Sequence, residues 1–133
     1  MSLAAVYSRG LLGITAPLVR VEAHLQNGLP KFQLVGLPEM AVKESRERVR
    51  SALLSLGFQF PSRRITVNLA PADLPKSGSR FDLPIALSIL AAAGMIPATK
   101  LEHFECLGEL ALSGQIQPVP GLCIAMLANR HSK

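Results

Sequence analysis

The chain has 133 residues, 49% of them hydrophobic and 17% charged, with net charge +5, two cysteines and no tryptophan. At that length one domain can bury about two-thirds of its extended surface without disulfides or metals, and the composition is too apolar and too weakly charged for disorder. Two cysteines with no secretory signal before them exclude a secreted disulfide scaffold, and an aromatic content of 5% argues against a base-stacking module.

In chain order, Ala5-Val6-Tyr7-Ser8-Arg9-Gly10 followed by Leu11-Leu12 reads as a strand and turn. The first twenty residues carry Arg9 and Arg20 and no acid, as organellar transit peptides do, but the strand reading fits them better. A soluble cytoplasmic protein is expected. Val19 to Leu25 alternates apolar and polar residues with the period of a half-buried strand. Asn27-Gly28 is a hairpin signal because both residues accept positive φ, which makes Phe32-Gln33-Leu34-Val35 the returning strand.

Pro38 opens a helix where a missing N–H costs nothing, and Gly57 ends it after about Leu56. Val42, Val49, Leu53 and Leu56 are spaced for its buried face, while Lys43, Glu44, Glu47, Arg48 and Arg50 cover the rest. Arg63 to Leu69 is a further strand, and a polar loop runs from Ala70 to Arg80. Asp82 is the N-cap or first-turn carboxylate of a helix from about Leu83 to Ala93, ended by Gly94. The longest apolar stretch, Leu83 to Ile96, is broken by Pro84, Ser88 and Gly94 and is too short to cross a membrane.

Glu105 to Leu112 and Gln115 to Val119 form a hairpin about Ser113-Gly114, with Cys106, Gly108, Leu110 and Leu112 on one face. Pro120-Gly121 starts a last helix. The expected order is β-β-β-α-β-α-β-β-α. That is a single α+β domain over residues 1–133, with helices packed against a mixed sheet.

Charge is unevenly placed. Lys43 to Arg80 holds eight bases and three acids, the whole of the net +5, and the remaining residues cancel. A basic middle of this kind attracts nucleic acid or another polyanion, or it is a solvated helix face with two loops. Nucleotide chemistry has no visible seat, because no Gly-x4-Gly-Lys-Ser/Thr loop exists to cradle phosphates. His24, His103 and His131 lack ligand spacing, and Cys106 and Cys123 match no zinc or redox motif. Glu105 and Glu109 read as solvated charges.

Two long motifs carry a resemblance. One is Ala70-Pro71-Ala72-Asp73-Leu74-Pro75-Lys76-Ser77-Gly78-Ser79-Arg80-Phe81-Asp82-Leu83-Pro84, and the other runs from Leu107-Gly108-Glu109 to Val119-Pro120-Gly121. With Phe32 to Pro38 and Glu44 to Arg50, they resemble the N-terminal domain of the ComM/YifB family of Mg-chelatase-like AAA+ ATPases, over the entire chain. The resemblance implies a Lon-protease-like fold, also seen in a ribosomal protein domain (domain 2). It implies an AAA+ module beyond the present C-terminus, which would bind the ATP and Mg that this fragment does not. It further implies a homo-hexameric motor that promotes DNA branch migration during recombination in natural transformation.

Lon-type proteases use a Ser/Lys dyad. Where they carry Pro-Lys-Asp-Gly-Pro-Ser-Ala-Gly, this chain has Pro75-Lys76-Ser77-Gly78-Ser79-Arg80-Phe81-Asp82, so Arg80 stands at the nucleophile position. Where their lysine follows Gly-Gly-Leu, Pro120-Gly121-Leu122 leads to Cys123. A guanidinium cannot attack a carbonyl, and losing either partner costs orders of magnitude in rate.

The expectation is therefore a non-catalytic accessory domain that contributes to ring assembly and DNA contact. The residues expected at DNA or at a neighbouring subunit are Arg46, Arg50, Arg63, Arg64, Lys76 and Arg80, the last two at the mouth of a helix N-terminus. The alternatives are a protein-interaction module without nucleic-acid contact, and a peptidase with a displaced pair drawn from Lys76, Ser77 and Ser79.

Overall fold

The alternation of Val19 to Leu25 is realised in a computed structural model that describes residues 2–72, 74, 76 and 79–119. Strand β1 (Ser2–Arg9) pairs antiparallel with β2 (Leu18–Gln26). Val19, Val21, Ala23 and Leu25 of β2 are buried, and Arg20, Glu22 and His24 lie on the opposite side.

The expected hairpin between β2 and β3 (Lys31–Val35) does not form. Gly28 takes a positive φ of 148°, but β4 (Arg64–Ala70) lies between the two strands, antiparallel to β2 and parallel to β3. The reason is the apolar face each strand offers. β4 buries Ile65, Val67 and Leu69 completely, whereas β3 buries only Leu34, so β4 takes the central place and β3 an edge. Local turn chemistry yields to the larger burial.

Parallel neighbours need a crossover, and α1 (Glu39–Ser55) supplies it. The helix follows Pro38, whose carbonyl accepts from Val42 N at 3.0 Å, and it stops before Gly57 at φ 89°. Its buried face holds Ser45, Val49, Ala52 and Leu53. Leu56, expected on that face, is 55% exposed because it falls at the C-cap, beyond the core.

Helix α2 (Asp82–Ala92) is apolar all round and packs against α1 and the inner face of the sheet. Asp82 sits in its first turn and does not cap it with a side-chain bond. A single-turn α3 (Ala98–Leu101), unforeseen in the sequence, follows Pro97. The expected second hairpin is present but short, β5 (Glu109–Leu110) against β6 (Ile116–Gln117), with Gly114 at φ 94° in the turn.

Leu110 is buried in that hairpin, while Leu112 is exposed and Cys106 half-buried. The Cys106 backbone is committed elsewhere, donating to Tyr7 O at 2.8 Å, with Glu105 bridged to β1. The described order is therefore β-β-β-α-β-α-α-β-β, and the last expected helix lies outside the described residues. Among the described residues no helix is long and apolar enough to cross a membrane.

Candidate nucleic-acid interface

Lys43, Arg46 and Arg50 recur at i, i+3 and i+7, so they form one stripe along the outer side of α1. Across from the stripe lies the start of edge strand β3. Between them is a cavity of about 900 Å³ lined by Pro30, Lys31, Phe32, Lys43, Glu44, Arg46, Glu47, Arg48 and Arg50. A second cavity of about 340 Å³ shares Pro30, Lys31, Phe32 and Arg50 with the first and continues to Leu54, Phe60, Pro61 and Arg63. Together they make one groove with six cations and two carboxylates.

Its walls are tied down. Arg46 donates from Nη1 to the Phe32 carbonyl at 3.0 Å, and Arg63 from Nη2 to the Leu25 carbonyl at 3.3 Å. The Arg50 guanidinium lies 5.6 Å from the centre of the Phe60 ring, and Phe60 meets Phe32 at 5.5 Å and 45°. Sequence reading missed both phenylalanines as site residues. They are 28 positions apart, and only the β3-α1-β4 crossover joins them.

Arg48 lines the groove but is spoken for. Its Nε donates to Asp82 Oδ2 at 2.6 Å and its Nη2 to Oδ1 at 3.2 Å, and Asp82 also accepts from Ser45 Oγ and Leu110 N. The hydrogen bond to Asp82 raises the guanidinium pKa. Partial burial opposes the rise, and the charges of Asp82, Glu109 and Glu44 assist it. This single carboxylate joins α1, α2 and β5.

The six residues expected at an interface divide. Arg46, Arg50 and Arg63 stand in the groove, and exposed Arg64 opens β4 in register with Lys31. Lys76 and Arg80 turn inward. Lys76 is 4% exposed, its Nζ donating to Pro71 O at 2.6 Å and Leu74 O at 2.9 Å. Arg80 is 5% exposed, and desolvation pushes its pKa down.

The pair foreseen at an open helix mouth is instead packed into the loop. Two backbone carbonyls offset the burial of the Lys76 ammonium, whereas burial of the Arg80 guanidinium carries a desolvation cost. Ser79 donates to Glu109, so that carboxylate is engaged and not merely solvated. Ser77 lies outside the described residues. Among the described residues no group of His, Cys, Asp and Glu is placed to hold a metal ion.

Comparison with known proteins places this chain in a family. The model of subunit ChlI of Mg-chelatase matches residues 21–133. The chain is 59% identical over its full 133 residues to competence protein ComM of Haemophilus influenzae, covering 26% of that protein. It is 54% identical over 121 residues to YifB of Escherichia coli, 91% of this chain and 24% of that protein. To Mb2921c of Mycobacterium bovis it is 42% identical over 131 residues, 98% of this chain and 26% of the relative. The chain thus spans about a quarter of the length of the curated relatives it matches, and the resemblance carried by its two long motifs is borne out. It belongs to the family of the Mg-chelatase subunit ChlI, and its likeness there is to the N-terminal quarter of ComM and YifB.

Proposed function

We propose that this chain is the non-catalytic N-terminal domain, of Lon-protease-like fold, of a ComM-like AAA+ ATPase, and that it contacts DNA through the groove between α1 and β3. The observation that carries the reading is the convergence of Lys31, Lys43, Arg46, Arg50 and Arg63 on one groove, against only two acids there. Clustered cations release counterions when they meet phosphates, and that supplies affinity without sequence readout. Among polyanions, DNA is the one that the family resemblance implies. ATP and Mg are assigned under this reading to the AAA+ module that the family resemblance implies. Ring assembly as a homo-hexamer and branch migration are activities of that whole protein under the same reading.

The buried state of Lys76 and Arg80 moves the proposed contact away from the loop. If about four phosphates are neutralised, log K falls with log salt at a slope near −3.6. Fluorescence anisotropy on labelled DNA should give that slope for the wild type, and a shallower one for Arg46→Ala/Arg50→Ala/Arg63→Ala with affinity at least tenfold lower. Equal affinity of the two proteins removes the groove from the reading.

A further inference from the structure

We infer that the groove is a single-strand site, which grips phosphates on its cationic rim and stacks unpaired bases on the Arg50-Phe60-Phe32 platform. The inference rests on the DNA reading above and adds which form of DNA the groove takes. Three features of the groove support it.

The first is shape. A cavity of about 900 Å³, extended by one of about 340 Å³, has the scale of a pocket for a small ligand. A few nucleotides of a flexible strand can enter it, whereas a duplex would lie across its open side. The second is the platform. Phe32 and Phe60 meet at 5.5 Å with their planes tilted by 45°, and Arg50 lies over Phe60 at 5.6 Å; both rings are partly buried against the core, and with the guanidinium they line the groove. In a duplex the base faces are stacked away and only edges reach the grooves, so such a surface has nothing to meet. An unpaired base presents its whole π-face.

The third is the layout of charge. Lys43, Arg46 and Arg50 line α1 over about 10 Å, Lys31 opens β3, and Arg63 immediately precedes β4. Cations therefore flank the rings from both the helix and the sheet, as tracking a backbone with the bases turned inward requires. Exposed Leu54 and partly buried Pro61 extend the apolar floor. The low aromatic content of the chain argued against stacking. Two of its five phenylalanines are nevertheless gathered here.

The test compares an oligothymidylate of about twelve nucleotides with a duplex of the same length, with inorganic polyphosphate as competitor. Two variants keep the charge and remove the platform: Phe60→Leu retains an apolar side chain, and Arg50→Lys retains the cation without its plane. Thermal melts identify any variant that has lost the fold. Expected are tighter binding of the single strand than of the duplex, and a loss of at least about fivefold on the single strand for each variant. The salt slope should stay unchanged, because both variants keep the number of cations.

Duplex bound as tightly as the single strand overturns the inference and leaves DNA contact standing. Unchanged single-strand affinity in both folded variants, with polyphosphate displacing the oligonucleotide fully, overturns it in favour of a phosphate-only site. Binding of neither DNA form overturns both readings.

Discussion

Asp82 is almost fully buried, with 1% of its side chain exposed, while Arg48 keeps 23% of its side chain in water. Losing one partner is therefore unlike losing the other. Arg48→Ala strands a buried carboxylate with only Ser45 and the Leu110 amide to satisfy it, at a cost of about 3 kcal/mol. Asp82→Asn leaves a guanidinium that can turn to solvent, at about 1–2 kcal/mol. Urea unfolding should give that order, and the reverse order would refute the placement of Asp82. Arg48 also lines the groove, so charge counting alone would misread its loss as weakened DNA contact. Cys106 gives a pH signature. Burial raises its thiol pKa, with the nearby charge of Glu105 adding to the rise. The folded state then holds its proton longer than the unfolded state, so stability is full below the ordinary thiol pKa and falls as pH rises from about 9 through the folded value. Cys106→Ala should flatten that alkaline decline in unfolding curves taken from pH 7 to 10.5. An unchanged decline would show that another group is responsible.

The crossover depends on how β3 ends. Gly36 has φ 99°, and a Cβ there would stand 2.4 Å from the Leu69 carbonyl oxygen, which is backbone and cannot yield. Gly57, at φ 89°, faces open space. Both substitutions should cost about 1–3 kcal/mol in backbone strain, and Gly36→Ala should cost more because the clash is added to it. Melting temperatures of the two variants decide it; equal shifts would mean that β3 and β4 separate easily. Elements with strong internal periodicity were legible in the sequence. Val19 to Leu25 announces β2 by alternation, and Val49 and Leu53 with Gly57 announce most of α1. Pairing was not legible, because Asn27-Gly28 gives a local signal whereas the place of β4 is decided by Ile65, Val67 and Leu69 competing for the core. Ser45, polar yet buried in α1, was invisible for the same reason: its partner Asp82 is 37 residues away. Edge strand β3 is exposed to unwanted pairing, and Arg46 blunts it by bonding the Phe32 carbonyl.

Across the molecule, the basic segment foreseen from Lys43 to Arg80 divides into an exposed groove and a buried loop. Charge counting located Lys43, Arg46, Arg50 and Arg63 but not Lys31, which precedes that segment, and it could not tell Arg50, which is exposed, from Arg80, which is not. Burial depends on what the loop packs against, and no run of letters between Ala70 and Arg80 states that. The candidate site was thus half legible: Arg46, Arg50 and Arg63 in advance, Phe32 and Phe60 only once the crossover was folded. Helix α2 has a consequence for how such a domain can diversify. Nine of its eleven residues are buried, and it touches α1, the sheet and the second hairpin. A change of volume there is felt by all three neighbours, so α2 can drift only by swaps that conserve volume. The outer stripe of α1 is less constrained, with Arg46 tied to the Phe32 carbonyl and Arg50 laid over Phe60 but Lys43 and Glu47 exposed. Saturation mutagenesis scored by soluble yield should find α2 nearly closed to charged substitutions and Lys43 and Glu47 open to almost any residue but proline. Inheritable novelty in this domain is therefore channelled to the groove, whose wall can be rewritten while the helix behind it stays fixed.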